Sequence, residues 1–355
     1  MERLLVAQTG FLGDVVLTTP LLATLRRELS LESLTVLTTP QACPLVEDHP
    51  AVDQVLVDAK HGQERGFLGM IRTARRLRQQ EFTLAVAPHK SFRTALLLTL
   101  AGIPRRVGFR QSPGWFFYNQ TAQRDADRHE VERILCLMRA FGREPEECER
   151  RPHVAYSAQA QANAHDLLRE AQIAGSEPMF VVCPGSVWYT KRWTIEGYAA
   201  LVRSLEQHYG RVVLCGGPDD MTVAREIQEQ TGSSIPNLTG RADLQTFMAL
   251  VDRAQMVISN DSAPMHIAVA RHIPVVAIFC ATTPSLGYGP YSDNAVVVEE
   301  KELFCRPCGR HGGPSCPRGT EECMKQVRPN DVLAGVDQLL KQTASQTTAS
   351  MGHEQ

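Results

Sequence analysis

An acidic residue follows the first apolar run of the chain, at a position where α/β proteins bind their ligands. The run Leu4 to Ala7 leads into the turn Thr9-Gly10-Phe11-Leu12-Gly13-Asp14. A strand that ends in such a turn delivers its acidic residue to the carboxyl edge of a parallel sheet. Two roles for Asp14 are evenly matched on spacing alone: it could take a proton in a cleft, or it could cap the helix that follows.

A basic loop follows a second apolar run. Val181-Val182-Cys183-Pro184-Gly185-Ser186 continues through Thr190 and Lys191 to Arg192-Trp193. The hydroxyls of Ser186 and Thr190 could hold a diphosphate, and Lys191 could offset the charge on a phosphate that leaves. The alternative is a solvated basic loop before a helix that begins at Thr194.

A helix start follows a third run, in the sequence Ser259-Asn260-Asp261-Ser262-Ala263-Pro264-Met265-His266. Proline suits the first helical turn, where free backbone N–H groups can bind phosphate. We expect Ser262 to lie at this phosphate-binding turn and Asp261 to hold sugar hydroxyls by charge-assisted hydrogen bonds. His266 falls one turn into the helix, and we expect no catalytic role for it.

A further glycine turn, Cys215-Gly216-Gly217-Pro218-Asp219-Asp220, suits a loop that binds ribose. Asp219 or Asp220 could accept hydrogen bonds from a ribose diol. For either residue alone, a turn with a helix cap is at least as good an interpretation.

Apolar runs that alternate with amphipathic segments predict two doubly wound α/β domains. We place an N-terminal domain at 1–165, a C-terminal domain at 176–328, a terminal helix at 329–341 and a disordered tail at 342–355. The predicted strands are Leu4 to Ala7, Leu34 to Leu37, Val52 to Val57, Leu84 to Ala87, Phe180 to Cys183, Val212 to Cys215, Met256 to Ser259 and Val275 to Phe279.

The composition is that of an ordinary globular protein. The chain has 355 residues, 43% hydrophobic and 21% charged, and length alone favours about two domains. A net charge of −2 gives no general attraction to nucleic acid. The first apolar run is too short for a secretory signal, so we expect a cytoplasmic protein. No apolar stretch is long enough to span a bilayer, so any membrane contact would be peripheral.

Four of the ten cysteines cluster near the C-terminus, at Cys305, Cys308, Cys316 and Cys323. The first pair has the C-x-x-C spacing of a zinc half-site, but six residues separate the second pair. Structural zinc, disulfides and reduced thiols all stay open, and any metal here would clamp the loop before the last helix. The other six cysteines are expected to be small buried hydrophobes.

These motifs together resemble the ADP-heptose:lipopolysaccharide heptosyltransferases of glycosyltransferase family 9, in particular the heptosyltransferase II branch. The resemblance covers nearly the whole chain. It rests on Gly13-Asp14, Pro88-His89-Lys90-Ser91-Phe92-Arg93, Ala101-Gly102-Ile103-Pro104, Cys183-Pro184-Gly185-Ser186, Lys191-Arg192-Trp193 and Ser259-Asn260-Asp261-Ser262 with Met265-His266.

The resemblance implies a GT-B fold, in which two Rossmann-like lobes face each other across a cleft. The first lobe would bind a lipid A–Kdo inner-core acceptor and the second would bind ADP-heptose, with inversion at the anomeric carbon and without a metal or other cofactor. An acceptor anchored by lipid A would place the enzyme at the cytoplasmic face of the inner membrane.

The resemblance also implies a role for each candidate residue. Asp14 would be the general base, and Lys191 would stabilise the diphosphate that departs. The donor would be held by Ser186, Thr190, Asp220, Asp261 and Ser262, and the acceptor by Lys90 and Arg93.

Three other functions stay open. A related transferase could use another acceptor or nucleotide sugar. A non-catalytic protein on this fold could bind nucleotide sugar or lipopolysaccharide, because a fold does not decide between binding and turnover. A dinucleotide-dependent oxidoreductase is disfavoured, because the turn at Gly10 and Gly13 lacks the third glycine of the G-x-G-x-x-G pattern.

Overall fold

The computed structural model describes residues 1–62, 64–173, 175, 177–232 and 235–351, with the backbone alone for 346–351. The chain divides into two compact units, unit 1 over Met1–Tyr156 and unit 2 from Ser157 onward. The two doubly wound units predicted from the sequence are confirmed.

The described part of unit 1 contains a six-stranded parallel sheet in the order β3-β2-β1-β4-β5-β6. The strand order reverses between β1 and β4, which is where doubly wound folds bind ligands. Its elements are β1 (Glu2–Ala7), α1 (Leu12–Glu28), β2 (Leu31–Thr38), β3 (Gln54–Val57), α2 (Gly66–Arg78), β4 (Leu84–Val86), α3 (Phe92–Leu100), β5 (Arg105–Phe109), β6 (Gln120–Ala122) and α4 (Glu130–Leu135).

Strand β1 lies at the centre of unit 1 because its residues are apolar without alternation. Leu4, Leu5 and Val6 are fully buried, as expected for a parallel strand that helices cover on both faces. Helix α1 contains Pro20, which has no N–H to donate to the carbonyl of Val16. The Thr19 hydroxyl donates to that carbonyl instead, at 2.7 Å, so the helix continues through the proline.

The described part of unit 2 contains a five-stranded parallel sheet in the order β11-β10-β9-β7-β8, which reverses between β7 and β9. Its elements are α5 (Ala158–Glu170), β7 (Met179–Cys183), α6 (Ile195–His208), β8 (Arg211–Leu214), α7 (Met221–Thr231), α8 (Leu244–Asp252), β9 (Met256–Asn260), α9 (Ala263–Ala270), β10 (Val275–Phe279), β11 (Ala295–Glu299), α10 (Glu322–Lys325) and α11 (Pro329–Met351).

Two predicted boundaries differ from the structure. Helix α5 belongs to unit 2, so unit 1 ends at Tyr156 and not at 165. Helix α11 extends to Met351, where a tail had been expected from 342, because the stretch 336–351 contains no proline or glycine. The predicted domain start at 176 and the tail residues 352–355 lie outside the described residues.

Within the described part of the chain, no helix combines the length and the apolar character that crossing a membrane would require.

Candidate functional site

Asp14 lies in the first turn of α1, directly after the carboxyl end of β1. Its Oδ2 atom accepts a hydrogen bond from the Phe11 N–H at 3.1 Å, so the side chain caps the helix. The carboxylate is half-buried. Of the two roles predicted for Asp14, the structure shows the helix cap, and it places the same carboxylate after the carboxyl end of β1.

The turn before Asp14 is held by Gln8. The Gln8 Oε1 accepts from the Gly10 N–H at 3.0 Å, and its Nε2 donates to the Thr18 hydroxyl at 2.9 Å. A Cβ atom at Gly10 would come within 2.8 Å of Asp14 Oδ2, so a larger residue at this position would displace the carboxylate. The Asp14 carboxylate is therefore held against the turn that precedes it.

Arg93, a predicted acceptor residue, has its charge paired inside unit 1. Its guanidinium forms a two-pronged ion pair with Asp58, whose side chain is fully buried after the end of β3. The Lys60 ammonium follows in the same loop and donates to the Thr9 carbonyl at 2.5 Å. Burial lowers the pKa of Lys60, the Asp58 carboxylate opposes this, and the nearby Arg93 charge adds to the lowering. The structure thus adds one cation, Lys60, and one carboxylate, Asp58, to the carboxyl edge of unit 1.

Lys90 is exposed at the same edge, in the loop between β4 and α3. The neighbouring His89 ring lies 3.1 Å from the Thr94 hydroxyl through Nε2. Burial lowers the pKa of His89 to about 4, with a further contribution from the Lys60 charge. His89 is therefore neutral at pH 7, and Lys90 is the predicted acceptor residue of this loop that reaches solvent.

In unit 2, Asn260 joins the three segments that build the candidate donor site. It is fully buried at the end of β9. Its Oδ1 accepts from the Trp193 N–H at 3.0 Å and from the Tyr198 hydroxyl at 2.9 Å, while its Nδ2 donates to the Pro184 carbonyl at 2.7 Å. One amide thereby fixes the loop after β7 and the start of α6 relative to β9.

Lys191 and Asp261 form an ion pair next to this amide. The Lys191 Nζ lies 2.7 Å from Asp261 Oδ2, and their side chains are 14% and 6% exposed. The Thr282 hydroxyl donates to the same carboxylate oxygen at 2.6 Å. The structure thus brings together two residues that the sequence placed in separate motifs.

The hydroxyls predicted to hold phosphate differ in their surroundings. The buried Thr190 hydroxyl donates to the Gly313 carbonyl at 3.2 Å and accepts from the Gly313 N–H at 2.8 Å. The Ser262 hydroxyl lies 3.2 Å from that of Ser259. Ser186 is 8% exposed in the loop after β7. Thr190 is therefore occupied in fixing its own loop.

Asp220, the predicted ribose ligand, is held in its turn by the Gly217 N–H at 3.0 Å. A Cβ atom at Gly185 would overlap its carboxylate, and one at Gly216 would approach it to 2.8 Å. Burial raises the pKa of Asp220, although the Gly217 hydrogen bond and the Arg192 charge oppose this. The glycines of two predicted motifs thus make room for one carboxylate.

The four clustered cysteines lie in a segment, residues 305–323, that packs on the Lys191 loop. Besides the Gly313–Thr190 contact, the Tyr189 hydroxyl donates to Glu321 Oε1 at 2.8 Å, and the Cys308 N–H donates to the Ala281 carbonyl at 2.8 Å. We call residues 305–323 the cysteine segment. Its role in the structure is to brace the loop that carries Lys191.

The cysteines themselves are free thiols in the structure. The pKa of the Cys316 thiol is lowered by backbone N–H groups, of which that of Glu321 contributes most, whereas burial raises the pKa of Cys323 to about 11. Among the described residues no cluster of three or more histidine, cysteine or acidic side chains is arranged to hold a metal ion. Of the six other cysteines, Cys43 and Cys148 are only half-buried, unlike the buried hydrophobes expected.

Sequence reasoning missed Asp58, Lys60, Thr282 and the structural role of Asn260. A signal was present for the first two, because Asp58-Ala59-Lys60 directly follows strand β3 and so lies at the carboxyl edge. Asn260 stood inside a motif, but its four partners come from distant parts of the chain and no local pattern identifies them.

Comparison with known proteins identifies the family. The model of glycosyltransferase family 9 (heptosyltransferase) matches residues 70–314. The lipopolysaccharide heptosyltransferase 2 of Salmonella typhimurium is 27% identical over 359 aligned residues, covering 96% of this chain and 99% of that protein.

Solved structures show the same fold. A family 9 glycosyl transferase from Veillonella parvula superposes with a TM-score of 0.86 at 22% identity, over 96% of this chain and 98% of that one. The ADP-heptose lipopolysaccharide heptosyltransferase II of E. coli superposes with a TM-score of 0.77 at 24% identity, over 96% of this chain and 99% of that one. These likenesses establish the GT-B fold. Because the family model matches more than half of the chain, the chain belongs to glycosyltransferase family 9, the heptosyltransferase family, and is a glycosyltransferase.

Proposed function

We propose that this enzyme transfers a heptose from ADP-L-glycero-D-manno-heptose to the heptosyl-Kdo2-lipid A inner core, with inversion of the anomeric carbon. The observation that carries the proposal is the buried Lys191–Asp261 pair at the strand reversal of unit 2. A cation held there by a carboxylate is ready to meet the negative charge that develops on a departing diphosphate. The lipopolysaccharide heptosyltransferases that match this chain over nearly its full length support the sugar and the acceptor class.

The proposed reaction is a single displacement. Asp14 takes the proton of the acceptor hydroxyl while that oxygen bonds to the anomeric carbon. The bond from this carbon to the β-phosphate oxygen breaks, and ADP leaves with the electron pair. Attack opposite to the leaving group inverts the anomeric centre.

The remaining candidate residues would bind the two substrates. We assign Ser186, Asp220, Asp261 and Ser262 to the donor, and Thr190 to the donor loop through its contact with Gly313. Lys90 and Arg93 are assigned to the anionic acceptor, since phosphate and carboxylate groups attract basic side chains. The lipid anchor of such an acceptor would require peripheral contact with the cytoplasmic face of the inner membrane.

The proposal is tested by measuring ADP release from ADP-heptose with a heptosylated Kdo-lipid A acceptor. Asp14→Asn keeps an oxygen for the Phe11 N–H, so we expect the helix cap and ADP binding to persist while the rate falls by about 100-fold or more. NMR of the product would show the inverted anomer. If the intact enzyme released no ADP with either a one-heptose or a heptose-free acceptor, the assigned substrates would be wrong. ADP binding without turnover on any acceptor would favour a binding protein.

A further inference from the structure

Unit 1 displays a group of exposed aromatic side chains beside the candidate acceptor loop. Phe92, Trp115 and Phe116 are 47%, 53% and 58% exposed, which is unusual for such large apolar groups. Phe92 is the first residue of α3, two positions after Lys90, and the other two lie in a short helical turn after β5. We call these three residues the aromatic surface.

The aromatic surface is held in place by packing beneath it. The Phe117 ring lies behind it, with its centroid 4.6 Å from that of Phe116 and 5.6 Å from that of Phe92. The Arg106 guanidinium donates to the Phe117 carbonyl at 2.8 Å. A Cβ atom at Gly114 would lie 2.7 Å from the Ala95 side chain, so the turn packs closely on α3. The rings are therefore displayed by a fixed turn.

The segment that contains the aromatic surface has basic residues but no acidic ones. Residues 82–124 contain six basic residues and no aspartate or glutamate, a run that begins after Glu81 and ends before Asp125. Three of the six pair with carboxylates outside the segment, in the pairs Arg93–Asp58, Arg105–Glu2 and Arg124–Glu130. Lys90 and Arg110 are exposed on either side of the aromatic residues in sequence.

Aromatic side chains next to lysine and arginine match the chemistry of a bilayer surface. Tryptophan and phenylalanine bury their rings at the boundary between headgroups and acyl chains, and basic side chains are attracted to anionic headgroups. We propose that the aromatic surface docks unit 1 onto an anionic phospholipid bilayer. Because Phe92 adjoins Lys90, this docking holds the candidate acceptor loop at the membrane, a consequence that rests on the proposed function.

Vesicle co-sedimentation of the full chain tests the docking. We expect the wild type to bind vesicles of phosphatidylglycerol and phosphatidylethanolamine, and to bind phosphatidylcholine vesicles weakly. Trp115→Ser with Phe116→Ser should reduce binding to the anionic vesicles by at least about tenfold, because both rings leave the interface. Phe304→Ser is the matched control, since Phe304 is 80% exposed in unit 2 and outside the aromatic surface. Equal thermal stability of the variants would show that they are folded.

Activity separates this proposal from the proposed function. The double variant should keep its kcat/KM on a delipidated, water-soluble acceptor and lose it on the acceptor embedded in anionic vesicles. If the wild type turned over neither acceptor, the proposed function would be refuted. The docking would still be judged by the vesicle binding alone. Equal vesicle binding by wild type and double variant would overturn the docking. The docking would also be overturned if the wild type formed a dimer in the absence of lipid and the double variant stayed monomeric.

Discussion

Lys191 and Asp261 show how much of the candidate chemistry depends on one pair of charges. Both side chains are largely removed from water, and Thr282 adds a hydrogen bond to the carboxylate. Taking two charges out of water is costly, and only their close approach and their hydrogen bonds offset that cost. A pair of this kind is a weak source of stability, but in the proposed reaction it would supply the cation for the phosphate that departs.

Lys191→Met should be strongly destabilising, because it leaves Asp261 buried without its cation. We expect the free energy of unfolding to fall by about 3 kcal/mol. Adding Asp261→Asn should restore most of this loss, since the amide oxygen can still accept from Thr282. Neither variant should regain activity, and kcat should stay about 100-fold or more below the wild type. Urea unfolding and ADP release measure the two effects, and a double variant no more stable than Lys191→Met would contradict this account.

The residue types at the candidate site could be predicted from the sequence, but their pairing could not. Asp14, Lys191 and Asp261 each follow an apolar strand, and the ends of parallel strands share one edge of a sheet. The contacts of Arg93 with Asp58 and of Thr190 with Gly313 join positions 35 and 123 residues apart. Such pairs depend on tertiary packing, so a local pattern does not reveal them.

The element that holds the Lys191 loop is the cysteine segment. Within unit 2, the segment contacts the Lys191 loop at Thr190, whose buried hydroxyl bonds to both the carbonyl and the N–H of Gly313. Arg306 anchors the start of the segment through the Thr282 carbonyl at 2.6 Å and Glu299 at 2.8 Å. Since Thr282 also contacts Asp261, the segment and the ion pair share a neighbour. The segment thus stabilises the site through its backbone, whatever the chemistry of its thiols.

Thr190→Val should loosen this brace without changing the shape of the side chain. It removes the hydroxyl and leaves the Gly313 N–H without its acceptor, which should cost about 1–3 kcal/mol. Thr190→Ser keeps the hydroxyl and is the control. Hydrogen exchange of peptides covering 309–316 should be faster in Thr190→Val than in the wild type and Thr190→Ser. Unchanged exchange in the valine variant would show that the segment is held by its other contacts.

Buried strands were the elements easiest to predict. The run Phe180 to Cys183 agrees with β7 within one residue, and Val275 to Phe279 agrees with β10 at both ends. Continuous apolar runs of this length are typical of parallel strands covered on both faces. Strand β5 was missed because it begins with Arg105-Arg106, and β6 because its residues Gln120-Thr121-Ala122 do not form an apolar run.

In the whole molecule, the two units share one kind of sheet topology. Each unit is a parallel sheet whose strand order reverses at a single point, between β1 and β4 in unit 1 and between β7 and β9 in unit 2. Each reversal carries one of the acidic residues singled out in the sequence, Asp14 in the first and Asp261 in the second. The restart of the strand pattern near Phe180 predicted this repeat, whereas the unit boundary at Tyr156 was hidden because α5 is amphipathic and fits either unit.

The proposed assignment of the donor to unit 2 predicts that the nucleotide product, ADP, binds this unit alone. ADP at about ten times its dissociation constant should slow hydrogen exchange about tenfold at 185–191 and 261–265 of unit 2, if those amides exchange only when ADP is released. Residues 8–15 of unit 1 should exchange at the same rate with and without ADP. Lys191→Met should need a higher ADP concentration for the same protection, because it lacks the cation that we propose for the diphosphate. Protection that appeared in residues 8–15 and not in unit 2 would reverse the assignment of donor and acceptor units, and with it the roles of Asp14 and Lys191.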